Sequence, residues 1–407
     1  MTKTVSIIGL GYIGLPTAAL LAAKGYRVHG VDISNSVVET INRGEIHIVE
    51  DGLRAYVNEA VSAGCLTAHL TPQPADVHMI CVPTPLKTDA SRNTPWPDIS
   101  YVEQAAQSIA GLVRAGDMVI LESTSPVGTT QQVANILSQA GVDLESVHIA
   151  YCPERVLPGK IMVELVENDR IVGGVTPAAT AVVSAFYQEF VEGQVLETDA
   201  QTAEFSKLAE NSFRDVNIAF ANELSMICEA AGVDPWKLIA MANHHPRVNI
   251  LNPGAGVGGH CIAVDPWFIV AQAPEQTRLI KTARQVNDAK PRWVEAQIKK
   301  AVTEFEKTLN RTPKLACYGL TFKPNIDDLR ESPAMEIAQN LLKEFPNLSV
   351  VEPNVSTITG IPLTDLKNAQ KDADIHVILV GHTEFARSED FDGQILDFVG
   401  KFSQDHS

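Results

Sequence analysis

The chain has 407 residues, too many for one hydrophobic core, so two or three domains are expected. With 45% hydrophobic and 20% charged residues it has a globular composition, and a net charge of −17 excludes the basic surfaces that nucleic acids and acidic membranes reward. No apolar run reaches the ~18 residues of a membrane span, and MTKTVSIIGLG lacks the pattern of a secretion signal, so a cytoplasmic location is expected.

In the N-terminal half, short apolar runs alternate with helical stretches. VSIIGL, YRVHGVD, DVHMICV, DMVILES, VHIAYCP and RIVGG read as strands, and PTAALLAAK is one of the helices between them, which implies a parallel sheet wrapped by helices. From Asp199 to Gly232 the text changes to TAEFSKLAENSFRDVNIAFANELSMICEAA, which keeps apolar residues at helical spacing with no internal Gly or Pro. That helix is either a connector carrying a dimer surface or internal to one monomer. A helix-rich stretch over 275–306 leads into KLACYGL at 314–320, again a strand. ADVHMICV (75–82) and ADIHVILV (373–380) match in register at Ala, Asp, His, Ile and Val, hinting at two related halves. The expected fold is two Rossmann-like, doubly wound α/β domains joined by a long central helix.

VSIIGLGYIGLPT fits G-x-G-x-x-G after a strand and before a helix, with Gly9, Gly11 and Gly14 around Tyr12 and Ile13. The glycines supply a tight turn, backbone approach to a pyrophosphate and close helix–strand packing, and the helix start adds amide donors. Asp32 ends the next strand, where a carboxylate accepts from ribose hydroxyls and repels a 2′-phosphate, so NAD is expected rather than NADP. FAD shares the fingerprint but not the hydride-transfer residues that follow. Thr84 and Thr124 stand at carboxyl ends of strands, as ligand contacts or as plain turn residues.

Six scattered cysteines show no C-x-x-C spacing, so no metal is expected and most read as core thiols. Cys261 differs. In PGAGVGGHCIAVDP (253–266) it follows four glycines, whose backbone can approach a thiol and an oxyanion. Beside a nicotinamide, a cysteine can capture an aldehyde as a thiohemiacetal, and a second hydride loss leaves a thioester for water to cleave. His260 is a base or a structural neighbour. Lys207, Asn211 and Arg214, spaced i, i+4, i+7, share a helix face and offer an ammonium, an amide and a guanidinium. Lys207 suits the alcohol proton, and Asp265 suits ordering the hydrolytic water.

GLGYIGLP, ESTSPVGTT, YCPERVLPGK, KLAENSFRDVNIAFANE, GAGVGGHCIAVDP and YGLTFKPNIDDLRESP occur in the order found in the UDP-glucose/GDP-mannose dehydrogenase family, which the chain resembles over nearly its whole length. The resemblance implies an NAD-binding domain at 1–198, a central helical dimerisation and catalytic-loop region at 199–308, and a UDP-sugar-binding domain at 309–407. It implies NAD-dependent, four-electron oxidation of a nucleotide sugar's C6 alcohol to a carboxylate for bacterial surface polysaccharide precursors, with Cys261 as nucleophile, Lys207 as catalytic lysine and a homodimer built on the central helix. By the same matching Glu154, Arg155, Val156, Asn211, Arg214, His245, Arg247, Gly258 and Lys323 contact the sugar nucleotide, some from the partner subunit, and Arg330 reaches the NAD site. Where UDP-glucose members carry Phe-Leu-x-Glu-Gly after the first Glu, this chain reads Arg155, Val156, Leu157, Pro158 and Gly159. Loss of the second carboxylate suits an N-acetylated sugar, UDP-N-acetyl-D-mannosamine, with UDP-N-acetylglucosamine or another nucleotide sugar as the alternative. A one-step hydroxyacid-type dehydrogenase would not explain the cysteine loop, and an NAD sensor would require neither Cys261 nor Lys207.

Overall fold

A computed structural model describes residues 3–89, 94–157, 159–259, 261–385 and 387–402. The chain divides into two compact units. The first runs to Glu210 and adds Trp267–Gln272; the second takes Asn211–Pro266 and the chain from Ala273 onward.

In chain order the first unit holds β1 (Thr4–Ile8), α1 (Gly14–Ala23), β2 (Arg27–Val31), α2 (Asn35–Asn42), α3 (Leu53–Ser62), β3 (Leu66–His69) and β4 (Val77–Ile80). A two-residue antiparallel pair, β5 (Leu86–Lys87) and β6 (Trp96–Pro97), precedes α4 (Ser100–Ile109), β7 (Met118–Leu121), α5 (Thr129–Gln139) and β8 (His148–Tyr151). Then come α6 (Ile161–Glu167), β9 (Arg170–Gly174), α7 (Pro177–Gln188), β10 (Val195–Asp199) and α8 (Ala200–Ala231), which continues into the second unit.

The large sheet has the order β10-β9-β8-β7-β4-β1-β2-β3. From β3 to β8 every pairing is parallel, with the order reversing at β1 beside β4; that is the doubly wound dinucleotide arrangement, whose ligand crevice lies at the carboxyl ends of the strands. β9 runs antiparallel to β8, a departure from the all-parallel expectation, and β10 pairs parallel to β9. β4, apolar apart from His78, and the continuous apolar run of β7 are buried at all four positions, as strands covered on both faces must be.

After α8 come α9 (Pro235–Asn243) of the second unit and α10 (Asp265–Gln272), which starts in the second unit and has its residues from Trp267 in the first; the second unit then continues with α11 (Arg278–Leu309), β11 (Leu315–Tyr318), α12 (Pro333–Glu344), β12 (Ser349–Val351), α13 (Leu366–Asp372), β13 (Ile375–Ile378) and β14 (Gln394–Asp397). Its sheet, β12-β11-β13-β14, is parallel throughout. Helix starts follow local chemistry: Asp234 and Ser332 accept from the first turns of α9 and α12, and each cap precedes a Pro whose missing N–H costs nothing there.

One polar cluster is buried inside the first unit, beyond the ends of β7 and β8. Arg170 meets Glu154 at 2.5 Å, while Glu122 accepts from the Tyr187 hydroxyl at 2.6 Å and from the Cys81 thiol at 3.3 Å. Arg170 thus pairs with Glu154 and acts on Glu122 through its charge alone. Burial first, and repulsion from Glu154 second, push the Glu122 carboxyl from its usual 4.5 up to about 7. The folded state therefore holds a proton that the unfolded chain releases, so the stability that this proton confers is full below 4.5 and is lost as pH rises to about 7. Glu122→Gln, which mimics the protonated side chain, should flatten the stability profile across this window by about 3 kcal/mol in total, read from urea unfolding at successive pH values. Equal slopes in both proteins would contradict the assignment.

Candidate active site

The dinucleotide turn follows from strand, turn and helix packing. Gly9 has φ +95°, and a Cβ there would stand 2.6 Å from the Cys81 carbonyl oxygen; at Gly14 a Cβ would lie 1.8 Å from the Gly9 carbonyl oxygen. Both positions are closed to any side chain. Gly11, in contrast, is exposed and faces open space, where a Cβ would take the room that a pyrophosphate needs beside the start of α1. Tyr12 packs against the core, and Ile13 sits at the helix boundary. Asp32, one residue past β2, is half-buried and accepts from the N–H groups of Leu10 at 3.2 Å and Ser34 at 2.9 Å, which ties the glycine turn to the end of the neighbouring strand. These residues fit an NAD: an open glycine at a helix start and a carboxylate at the ribose position.

Thr84 and Thr124, separate in sequence, meet beyond β4 and β7, where the Thr84 hydroxyl donates to the Thr124 carbonyl at 2.6 Å. Sequence reasoning missed Glu204 on α8, fully buried, which accepts from the N–H groups of Gly128 and Thr130 and from the Thr130 hydroxyl, so it caps α5 just past the ESTSPVGTT segment. It also missed Glu50, which accepts from the N–H groups of Gly159 and Ile161 at 2.8 Å each and holds the segment after Glu154.

Glu154 is buried, with one oxygen on Arg170 and the other accepting from the Arg155 N–H at 2.7 Å. The Arg155 guanidinium donates to Glu210 at 2.8 Å and to the Asp169 carbonyl, and Val156 packs against the core. Pro158 lies outside the described residues. Lys207 is buried in the first unit and has no ion pair among the described residues.

In the second unit the glycine loop lies in a closely packed channel. A Cβ at Gly256 would meet Pro333 at 2.7 Å, and one at Gly258 would meet the Glu331 carbonyl oxygen at 2.5 Å and Phe322 at 2.8 Å. Gly256 and Gly258 are thus also required by packing against the 322–333 segment. Lys323, half-buried, follows Phe322 in the chain. Arg330 pairs with Asp328 through Nε and Nη2.

Cys261 is exposed. Its carbonyl accepts from the Asp265 N–H at 2.8 Å, turning the chain into α10, and the buried Asp265 carboxylate accepts from Asn211 of α8. The structure thus joins two residues that the sequence placed on separate motifs. Arg214 is exposed on α8; beyond α9, exposed His245 accepts from the Arg247 N–H at 3.3 Å. His260 lies outside the described residues.

A buried network that sequence reasoning did not find pins both ends of this loop. Arg284 of α11 is ion-paired with Asp215 of α8, both fully buried, and donates to the Ile262 carbonyl at 3.3 Å, directly after the cysteine. Asn287 donates to Asp215 at 2.8 Å and accepts from Asn222 at 2.9 Å. Asn222 in turn accepts from the Gly254 N–H at 2.9 Å, at the loop's start. Helically spaced Arg284, Asn287 and Asp288 were the available signal, but polar residues at that spacing equally describe a solvated face.

Models of the UDP-glucose/GDP-mannose dehydrogenase family match as its NAD binding domain over residues 3–191, its central domain over 201–289 and its UDP binding domain over 316–396. The chain is 55% identical to UDP-N-acetyl-D-mannosamine dehydrogenase of Salmonella typhimurium, covering 94% of each chain. It is 52% identical to an NDP-N-acetyl-D-galactosaminuronic acid dehydrogenase of Ralstonia nicotianae, over 95% of this chain and 92% of that one. The structure superposes on UDP-N-acetyl-mannosamine dehydrogenase from Staphylococcus aureus with a TM-score of 0.87 at 41% identity, over 98% of this chain and 96% of the other. With the dinucleotide turn, the pinned cysteine loop and these matches in chain order, the chain belongs to the UDP-glucose/GDP-mannose dehydrogenase family and is an NAD-dependent UDP-sugar dehydrogenase.

Proposed function

We propose that the enzyme oxidises the C6 alcohol of UDP-N-acetyl-D-mannosamine to the uronate in two hydride transfers at one cysteine, for surface polysaccharide precursors made in the cytoplasm. The observation that carries this reading is an exposed Cys261 at the end of a loop fixed at both ends and followed at once by the Asp265–Asn211 pair. The sugar rests on the names of the relatives, which share an N-acetylated hexose.

NAD, when bound, supplies the hydride acceptor for each oxidation. Lys207 takes the proton of the C6 hydroxyl as the first hydride leaves, giving the aldehyde. The Cys261 thiolate adds to the aldehyde carbon, and the resulting thiohemiacetal loses its second hydride and a proton to become a thioester. A water held by Asp265 and Asn211 cleaves the thioester, releasing the carboxylate and regenerating the thiol. In total, one alcohol, one water and two NAD yield one carboxylate, two NADH and three protons. Arg214, Arg247 and Lys323 supply positive charge for the diphosphate, a need that the chain's net charge of −17 makes local. His245, Arg155, Val156 and Gly258 border the sugar nucleotide, and Tyr12, Ile13, Thr84, Thr124 and Arg330 border NAD. The working division is an NAD-binding part at 1–198, a central part at 199–308 and a UDP-sugar-binding part at 309–407.

The same reading makes α8 a dimer surface. Phe213, Phe220 and Ile227 recur every seven residues and are 72%, 55% and 57% exposed, an apolar seam that a second copy of α8 would cover.

With UDP-N-acetyl-D-mannosamine the enzyme should yield two NADH per sugar nucleotide, and Cys261→Ser should form no acid; a yield of one NADH, or acid formation by the Ser variant, would overturn the mechanism. Replacing Phe213 and Phe220 together by Glu should convert a dimer to a monomer in sedimentation velocity, whereas an unchanged dimer would place the interface elsewhere.

A further inference from the structure

The second unit contains a cavity of about 300 Å³ between the C-terminal end of α8, α9, α11 and the edge strand β14. One wall carries Lys290, 2% exposed, whose ammonium donates to the Ser225 hydroxyl at 2.6 Å and stands 3.9 Å from the centre of the Trp293 ring. It has no carboxylate within ion-pair distance among the described residues, and burial alone pushes it down to about 7. A buried ammonium without a counter-ion is costly, and an anion brought by a ligand relieves that cost.

The other walls narrow the choice of anion. Trp293, Trp236 and Phe398 present aromatic faces. Glu229, Glu304 and Asp397 line the cavity from α8, α11 and β14, and its remaining cation, Lys300, lies 3.8 Å from Glu229. Three carboxylates disfavour a phosphate or polyanion, while a single carboxylate on an aromatic body matches one ammonium among aromatic faces.

The position of Lys290 gives such a ligand a route to the catalytic loop. Ser225, whose hydroxyl oxygen accepts from Lys290, donates to the Asn222 carbonyl at 2.7 Å, and Asn222 is the residue that accepts from Gly254 and donates to Asn287. The chain of hydrogen bonds continues through Asp215 and Arg284 to Ile262. A continuous path of hydrogen bonds therefore runs from Lys290 to both ends of the Cys261 loop.

We infer that this cavity is an effector site for an aromatic monocarboxylate, seated on Lys290 and coupled to the cysteine loop. The probe is benzoate, compared with neutral benzyl alcohol in calorimetric titration of the full chain, together with the rate at which iodoacetamide alkylates Cys261. Benzoate should bind at least about tenfold more tightly than benzyl alcohol, as one charged hydrogen bond allows, and should change the alkylation rate. Lys290→Met should abolish both effects. Gln297→Glu, on the same cavity wall but half-exposed and so tolerant of a charge, should weaken benzoate by a similar factor through repulsion. Absence of benzoate binding, equal affinity for the alcohol, or unchanged affinity in both variants would overturn the site; binding that leaves the alkylation rate untouched would overturn the coupling.

Discussion

The second unit depends on one interaction, the fully buried pair of Arg284 and Asp215. Burial of two charges is tolerated in part because other polar groups surround them: Arg284 also reaches Asp288 and the Ile262 carbonyl, and the paired Asp215 oxygen also accepts from Asn287, while the other Asp215 oxygen is buried without a hydrogen-bond partner among the described residues. Removal of either partner would leave an unmatched charge in the interior, so α8, α11 and the cysteine loop are locked as one polar framework. Burial still raises the Asp215 carboxyl to about 6, against the pull of the guanidinium, which measures how dry this framework is. In the proposed mechanism the thiolate attacks once, at the aldehyde, and then holds that carbon through the second hydride loss and the hydrolysis, so a small displacement of the loop would cost rate at each step.

The same logic separates two kinds of glycine. At Gly9 and Gly14 the missing side chain lets backbone meet backbone in the dinucleotide turn, while Gly11 leaves room for the cofactor. At Gly256 and Gly258 it lets the loop pass beneath Pro333 and Phe322. Both segments read as glycine-rich loops in sequence, yet one makes a ligand cradle and the other a fixed support for the residue that follows it.

What was legible in the sequence follows burial. VSIIGL, DVHMICV and DMVILES are covered on both faces, so their apolar runs announce them, and the echo between ADVHMICV and ADIHVILV falls on β4 and β13, interior strands of the two sheets. LTAH and VLETD were passed over because β3 and β10 are edge strands with mixed burial and no continuous apolar run. The reversed direction of β9 was illegible, since a short buried strand looks the same read either way. For the site, motif residues were legible singly, whereas the pairing of Asn211 with Asp265, the inward turn of Glu154 and the role of Arg284 depend on which elements pack together, and no spacing encodes that.

The central claim is that the pinned loop makes Cys261 a covalent catalyst. Acid quench during turnover with NAD and UDP-N-acetyl-D-mannosamine, followed by peptide mass analysis, tests it most directly. An acyl adduct of the sugar nucleotide is expected on the peptide carrying Cys261 and on no other. Steady production of two NADH per substrate with that peptide unmodified at every quench time, or an adduct on a different cysteine, would contradict it.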